Sequence, residues 1–325
     1  MKILVTGRLP QEILDLLREE HDIEANEEDR PMAQEKILQK IVGKDGLLCM
    51  IPDTVDQTLI GAADRLKMIA NFGVGFDNID VDAATSKGIL VSNTPGVLTD
   101  ATADLAFTLI LSIARRVVEG DKRTREGRFK HWAPLVFLGT EVTGKTLGLI
   151  GLGKIGKAVV KRSRGFDMRV VYHSRHPLDK PSEKALGVEY ADLESLLKMS
   201  DFVSLHVPLT EQTRHLINRE SLGLMKPEAF LINTSRGQVV DEKALLTALR
   251  QGKIAGAGLD VYENEPSLTP GLAELQNVIL LPHTGSATLE TRIRMAQLAA
   301  ENLLAGLKGE RPPHCLNWEA LSSMR

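Results

Sequence analysis

Leu147-Gly148-Leu149-Ile150-Gly151-Leu152-Gly153-Lys154-Ile155-Gly156 is the stretch whose reading decides the fold. A short apolar run ends in glycines spaced G-x-G-x-x-G, and Ile155, Val159 and Val160 then follow at helical spacing, so the pattern is strand, tight turn, helix. In such a turn the first glycine makes the bend and the second lets the backbone approach a pyrophosphate. The third allows close helix–strand packing, and phosphate sits at the helix N-terminus. The bare pattern also occurs as a plain strand-to-helix turn. A further apolar run, Val170-Val171-Tyr172, stands about 20 residues on, where a dinucleotide-binding unit needs its second strand.

Outward from this turn, similar runs recur: Ile3–Val5, Leu47–Ile51, Met68–Ala70, Ile89–Val91, Phe202–Leu205, Phe230–Ile232, Ala257–Leu259 and Val278–Leu280. They are continuously apolar rather than alternating, which is the pattern of parallel strands buried on both faces. Helix-length segments such as 10–18 and 192–198 lie between them. The fold class expected is α/β, with parallel sheets in two Rossmann-like or flavodoxin-like domains. Two longer helices break the rhythm. One starts near Thr99-Asp100 and runs to about Arg123; the other runs from about Thr288 to Leu307 and stops at Gly309. Read as domain connectors, they divide the chain into residues 1–97 and 288–325, a discontinuous substrate domain, and residues 98–287, an inserted cofactor domain.

Composition narrows the partners. The 325 residues carry 40 Lys+Arg against 43 Asp+Glu, for a net charge of −3, with 43% hydrophobic and 4% aromatic residues. A balance so near neutral leaves no basic footprint for nucleic acid or anionic membrane, and aromatics are too few for a base-stacking platform. The start at Met1 lacks the apolar core of a signal peptide, and no apolar stretch reaches the length of a membrane span, so a cytoplasmic protein is expected. Cys49 and Cys315 form no CxxC, and His173-x-x-His176 has no further ligands near it; no metal is expected. The 27 glycines remain to be explained. Besides the turn at Gly151, Gly73-Val74-Gly75 could present amides to an anion, and Gly256-Ala257-Gly258 lies inside a strand where something must approach closely.

The strand Val170–Tyr172 leads into His173-Ser174-Arg175-His176 without the acid that pairs with the ribose hydroxyls of NAD. A hydroxyl and a guanidinium suit a ribose 2′-phosphate, so NADPH is expected as the preferred cofactor, with NADH as the other choice. Hydride transfer also needs an acid/base, a group to tune it and a group to hold the substrate. Three candidates follow strands. Arg236 in Asn233-Thr234-Ser235-Arg236-Gly237 could clamp a carboxylate, and read alone would be a surface ion pair. Glu265 in Glu263-Asn264-Glu265-Pro266 could be an exposed loop acid. His283 in Pro282-His283-Thr284-Gly285 titrates near neutrality and is the natural acid/base, or a structural histidine.

Taken in order, Gly151–Gly156, Asn233–Gly237 with Val240-Asp241-Glu242, Gly258-Leu259-Asp260-Val261 with Glu265-Pro266, and Pro282–Ala287 resemble the successive signatures of the D-isomer-specific 2-hydroxyacid dehydrogenases. Within that family the stretches 71–80 and 92–104, with Ser174-Arg175, are similar to glyoxylate/hydroxypyruvate reductases. The resemblance implies catalysis by Arg236, Glu265 and His283. It implies substrate binding by the amides of Val74 and Gly75, by Met50 in the apolar loop 48–52, and by Arg236. Cofactor contacts are implied at Gly151, Gly153, Lys154, Ile155 and Gly156, at Ser174 and Arg175, and at Thr102, Val207, Pro208, Thr213, Thr234, Ser235, Asp260, His283 and Gly285. It further implies a homodimer, with Trp132 near the subunit interface closing the neighbour's pocket.

The expected chemistry is reduction of a small 2-oxo acid, glyoxylate or hydroxypyruvate, by hydride from NADPH in a cleft between two domains. The alternatives are another D-2-hydroxyacid dehydrogenase acting on 2-ketogluconate, D-lactate or phosphoglycerate, or a non-catalytic dinucleotide-sensing corepressor. The uncharged loop 48–52 offers no cation to a phosphorylated substrate, and a corepressor would not need Arg236, Glu265 and His283 together.

Overall fold

The computed structural model describes residues 1–323 and divides into two compact units, residues 1–98 with 287–323, and Thr99–Ser286. Each is built on one parallel sheet, and each is described by itself.

The first unit carries strands β1 (Lys2–Val5), β2 (Asp22–Ala25), β3 (Gly46–Met50), β4 (Met68–Phe72) and β5 (Leu90–Ser92), in the order β2-β1-β3-β4-β5. This is the doubly wound order of flavodoxin-like sheets. Its strands are apolar throughout because both faces are covered. Leu4, Leu47, Cys49, Ile69 and Val91 pack with Ile37, Ile41, Leu59 and Ile60 on one face. The helix Leu289–Leu307, started by Thr288 through a side-chain cap on Thr291 N–H, lies against β3, β4 and β5 on the other. Glycines permit that contact: a Cβ at Gly306 would stand 2.5 Å from Met68 Sδ, and one at Gly46 would stand 3.1 Å from Leu303.

The second unit carries β6 (Thr146–Ile150), β7 (Arg169–His173), β8 (Val188–Tyr190), β9 (Phe202–Leu205), β10 (Phe230–Asn233), β11 (Gly256–Leu259) and β12 (Val278–Leu280), in the order β12-β11-β10-β9-β6-β7-β8. Counted from β6, this is the Rossmann order 3-2-1-4-5-6 with one strand added, and the order reverses between β6 and β9. Neighbouring residues of one strand serve opposite cores. Leu147, Leu149, Val170, Tyr172 and Phe202 join the helix Thr99–Ala114 on one side. Ile150, Val171, Val203 and Leu205 join Leu196, Leu222 and Leu245 on the other. That two-sided burial is why the runs read as unbroken.

At three places the structure adds to or departs from what the sequence leads one to expect. The strands β2 and β8 show no apolar run; both are edge strands with one hydrogen-bonded neighbour, and Asp22-Ile23-Glu24-Ala25 is at most half-buried. The helix expected from Thr99 to Arg123 is two helices, Thr99–Ala114 and Val117–Arg125, because Arg116 takes a left-handed backbone at φ +54° and ends the run. The close approach expected at Gly258 is made by a helix. A Cβ there would stand 3.1 Å from Leu109 Cβ, so the glycine lets the helix Thr99–Ala114 lie close on β11.

Candidate active site

At the end of β6, where the strand order reverses, the chain turns at Gly151 with φ +98°, a backbone that favours glycine. The space is taken by backbone: a Cβ on Gly151 would stand 2.6 Å from His206 O, and one on Gly156 would stand 2.4 Å from Gly151 O. Gly153 is different. It precedes the helix Lys154–Ser163 with no side-chain cap, and a Cβ there would meet nothing within 4 Å. The first turn of that helix therefore offers open amides and its positive dipole end, which suits a pyrophosphate. Lys154 is exposed and Ile155 half-buried beside it.

β7 delivers Ser174 and Arg175. Ser174 Oγ donates to His176 O at 2.9 Å and Arg175 is exposed. The loop after β9 holds Val207, Pro208 and Thr213, with Thr213 Oγ1 donating to Pro208 O at 2.7 Å. Thr234 follows β10, and its Oγ1 is buried without a hydrogen-bond partner among the described residues, an orphan of the kind that a bound group would satisfy.

The loops after β10, β11 and β12 bring the three candidate catalysts to the same end of the sheet. After β10, Asn233 folds the chain back on itself. Its Oδ1 accepts from Ser235 N–H at 3.0 Å and Ser235 Oγ at 2.8 Å, and its Nδ2 donates to Arg236 O at 2.9 Å. After β12, His283 takes a left-handed backbone at φ +55° and sets its Nδ1 2.8 Å from Glu265 Oε2. Glu265 Oε1 accepts from Tyr262 N–H at 2.9 Å. Burial pushes the Glu265 carboxyl up, but the His283 hydrogen bond and charge, the Tyr262 N–H and the Arg236 charge outweigh it and hold it below the usual carboxylate range. A carboxylate bonded to Nδ1 fixes the ring and leaves Nε2 to face a substrate.

Asp260, at the end of β11, is 1% exposed and holds the His283 loop. Its Oδ1 accepts from Thr284 N–H at 2.7 Å and from Thr284 Oγ1 at 3.0 Å, and its Oδ2 from Gly285 N–H at 2.7 Å. Burial raises its carboxyl, and those donors with the His283 charge pull it partly back. Thr102 Oγ1 donates to Gly285 O at 3.1 Å. Two residues that shape the cluster were given no role in the sequence reading. Tyr262 donates its O–H to Leu281 O at 2.7 Å, so one residue braces both Glu265 and the His283 loop. Asn233 has a sequence signal, an Asn two residues before a Ser N–H it can cap. Tyr262 has none.

In the first unit, Thr94 N–H donates to Gly73 O at 2.9 Å and Asn93 Nδ2 to Val74 O at 2.7 Å. A planar trans peptide points N–H opposite to C=O, so the amides of Val74 and Gly75 both face away from these anchors. Met50 is half-buried at the last position of β3, its N–H donating to Asp53 Oδ2 at 2.7 Å. Among the described residues no cluster of three or more His, Cys, Asp or Glu is placed to hold a metal ion, and no helix is long and apolar enough to cross a membrane. Trp132 lies in the segment after the Val117–Arg125 helix and is 80% exposed.

Comparison with known proteins gives one answer. The family model for the D-isomer specific 2-hydroxyacid dehydrogenase NAD binding domain matches residues 107–285. The glyoxylate reductase of Thermococcus litoralis is 50% identical, covering 99% of this chain and 98% of the relative. That of Pyrococcus furiosus is 50% identical over 98% of this chain and 96% of its own. Among solved structures, a protein from Thermus thermophilus is similar with a TM-score of 0.90 at 47% identity, over 97% of this chain and all of that one. The NADPH-dependent glyoxylate/hydroxypyruvate reductase of Sinorhizobium meliloti, in complex with NADP and malonate, is similar with a TM-score of 0.86 at 34% identity, over 97% and 96% of the two chains. With a glycine turn fit for a pyrophosphate, a matching family model over more than half its length and relatives half identical along nearly all of it, this chain belongs to the D-isomer specific 2-hydroxyacid dehydrogenases, enzymes that work with a nicotinamide dinucleotide.

Proposed function

We propose that the chain reduces glyoxylate, and hydroxypyruvate as a second substrate, to the 2-hydroxy acid, with NADPH preferred over NADH. The observation that carries the chemistry is the 2.8 Å contact of His283 Nδ1 with Glu265 in a sheet end that also carries Arg236. The nicotinamide, when bound, supplies the hydride that C2 of the oxo acid receives. Arg236 holds the substrate carboxylate with its two-pronged guanidinium and draws charge toward the carbonyl oxygen. His283 gives the proton of Nε2 to that oxygen as it becomes an alkoxide, and Glu265 orients the ring and stabilises its cationic form. The amides of Val74 and Gly75 and the apolar side of Met50 are assigned to the substrate. Thr102, Val207, Pro208, Thr213, Thr234, Ser235, Asp260 and Gly285 are assigned to the cofactor beside the glycine turn.

NADPH is favoured because Ser174 and Arg175 stand where an NAD-binding unit carries its acid. Glyoxylate is favoured because relatives of half identity carry that name, and because the loop 48–52 has no cation for a phosphorylated acid. Steady-state rates on a panel of 2-oxo acids with both cofactors test the assignment. The highest kcat/KM is expected on glyoxylate and hydroxypyruvate, with NADPH at least about tenfold ahead of NADH, the worth of one charge-assisted phosphate contact. A higher kcat/KM on a phosphorylated acid, or a clear NADH preference, overturns it. A homodimer is proposed on the same resemblance and on the exposed apolar side chains of Trp132 and Leu135, 80% and 83% exposed; gel filtration decides that point.

A further inference from the structure

Behind Arg236 and Glu265 lies a cluster that the reaction above does not use. Glu242 opens the helix Glu242–Arg250 and is 2% exposed. Its Oε1 accepts from Glu263 N–H at 2.7 Å and its Oε2 from Thr269 Oγ1 at 2.6 Å. Glu263 answers by accepting from Glu242 N–H at 3.4 Å, and its other oxygen lies 2.6 Å from His215 Nε2. His215 closes the loop that starts at Val207. Its N–H donates to Gln238 O at 2.9 Å, and it takes a left-handed backbone at φ +50°, which a non-glycine residue adopts at a cost. Three segments thus meet at Glu263: the loop 207–215, the stretch from Arg236 to Glu242, and residues 262–269 with Glu265. Contact between the last two is so tight that a Cβ on Gly237 would stand 1.8 Å from Tyr262 C.

Glu242 and Glu263 each hold the other's backbone N–H, and His215 Nε2 lies on the remaining Glu263 oxygen, tying a third segment to the two. The His215 side chain is 40% exposed and that of Glu263 22%, so the pair fills no cavity and breaking it leaves the two cores intact. We propose that His215 is a positioning residue of the reaction: through Glu263 it fixes the Arg236 and Glu265 loops relative to the loop 207–213. The inference rests on the proposed function, which assigns that loop to the cofactor and Arg236 and Glu265 to the chemistry. His215 itself touches neither substrate nor cofactor in this account.

The experiment compares His215→Leu, His215→Gln, whose amide can still donate to Glu263, and the double variant His215→Leu/Glu263→Gln. It reads NADPH Kd by fluorescence titration without substrate, kcat and KM for glyoxylate, and Tm. A displacement of about 1 Å at a reacting group costs up to about a hundredfold, so His215→Leu is expected to raise the NADPH Kd and lower kcat by about tenfold each, at a Tm close to the parent's. His215→Gln recovers most of both, and the double variant is no worse than His215→Leu, because the bond is already gone. Parental kcat and Kd in His215→Leu overturn the inference. So does a His215→Gln variant as damaged as His215→Leu, or losses that only follow a fall in Tm. Failure of the parent to reduce glyoxylate overturns the proposed function instead, and the NADPH titration still decides the role of His215.

Discussion

The glycine turn and the Arg236–Glu265–His283 cluster occupy the same sheet end and are built by opposite means. The turn is shaped by missing side chains: Gly156 lies against Gly151 O, and Gly151 against His206 O. The cluster is shaped by side chains that reach across the chain, Asp260 to Thr284 and Gly285, Tyr262 to Leu281, Glu265 to His283. A structure made of absences breaks when a methyl group is added, and one made of reaches breaks when a donor or acceptor is removed.

The strongest test removes the proton donor. His283→Ala is expected to lower kcat by about 10²–10⁴ while NADPH still binds, since the turn is untouched; near-parental turnover breaks the assignment. Next comes acid, which should strike the turn first. Burial lowers His206, whose carbonyl backs Gly151, from 6.5 to about 4. A histidine depressed in the folded state contributes stability that is present above the unfolded value and lost as pH falls toward the folded one. Between pH 6.5 and about 4 the parent should therefore lose on the order of 3 kcal/mol more than His206→Gln in urea melts. Equal losses in both proteins refute this.

A smaller effect separates two glycines of the same turn. Gly156→Ala forces a methyl against Gly151 O and should cost about 1–3 kcal/mol in stability. Gly153→Ala meets open space and should keep its Tm while weakening the cofactor, because the methyl stands where a phosphate approaches. Thermal melts with and without NADPH distinguish the two. The smallest change is expected from Arg175→Ala, which is exposed and should lower kcat/KM for NADPH by about tenfold with NADH unaffected. An equal loss with both cofactors would remove Arg175 from 2′-phosphate recognition.

The same contrast explains what the sequence made legible. Central strands such as β6, β9 and β10 are readable because two covered faces leave no charged position in Phe202–Leu205 or Phe230–Ile232. The edge strands β2 and β8 bury less and carry Glu24 and Glu189, so their alternation is lost in so few residues. The break at Arg116 has no proline or glycine to mark it. Gly151 to Gly156 is a local device and was visible as spacing. The bracing by Tyr262 and Asp260 joins positions about twenty residues apart, which no spacing rule links; Arg236, Glu265 and His283 are each marked in the sequence by following a strand, and family likeness joins them into one site.

One consequence concerns the order in which the chain is made. The unit Thr99–Ser286 is a single uninterrupted segment, so a chain growing from Met1 can finish it while later residues are still being added. The first sheet must wait. Until Leu303, Gly306 and Leu307 are synthesised, Gly46 and Met68 lack the helix that lies against them, and Val91 N–H lacks the Asn317 side chain that accepts from it. During synthesis the vulnerable half of this protein is the one that begins first, and its sticky interval lasts as long as the ribosome takes to read through everything in between.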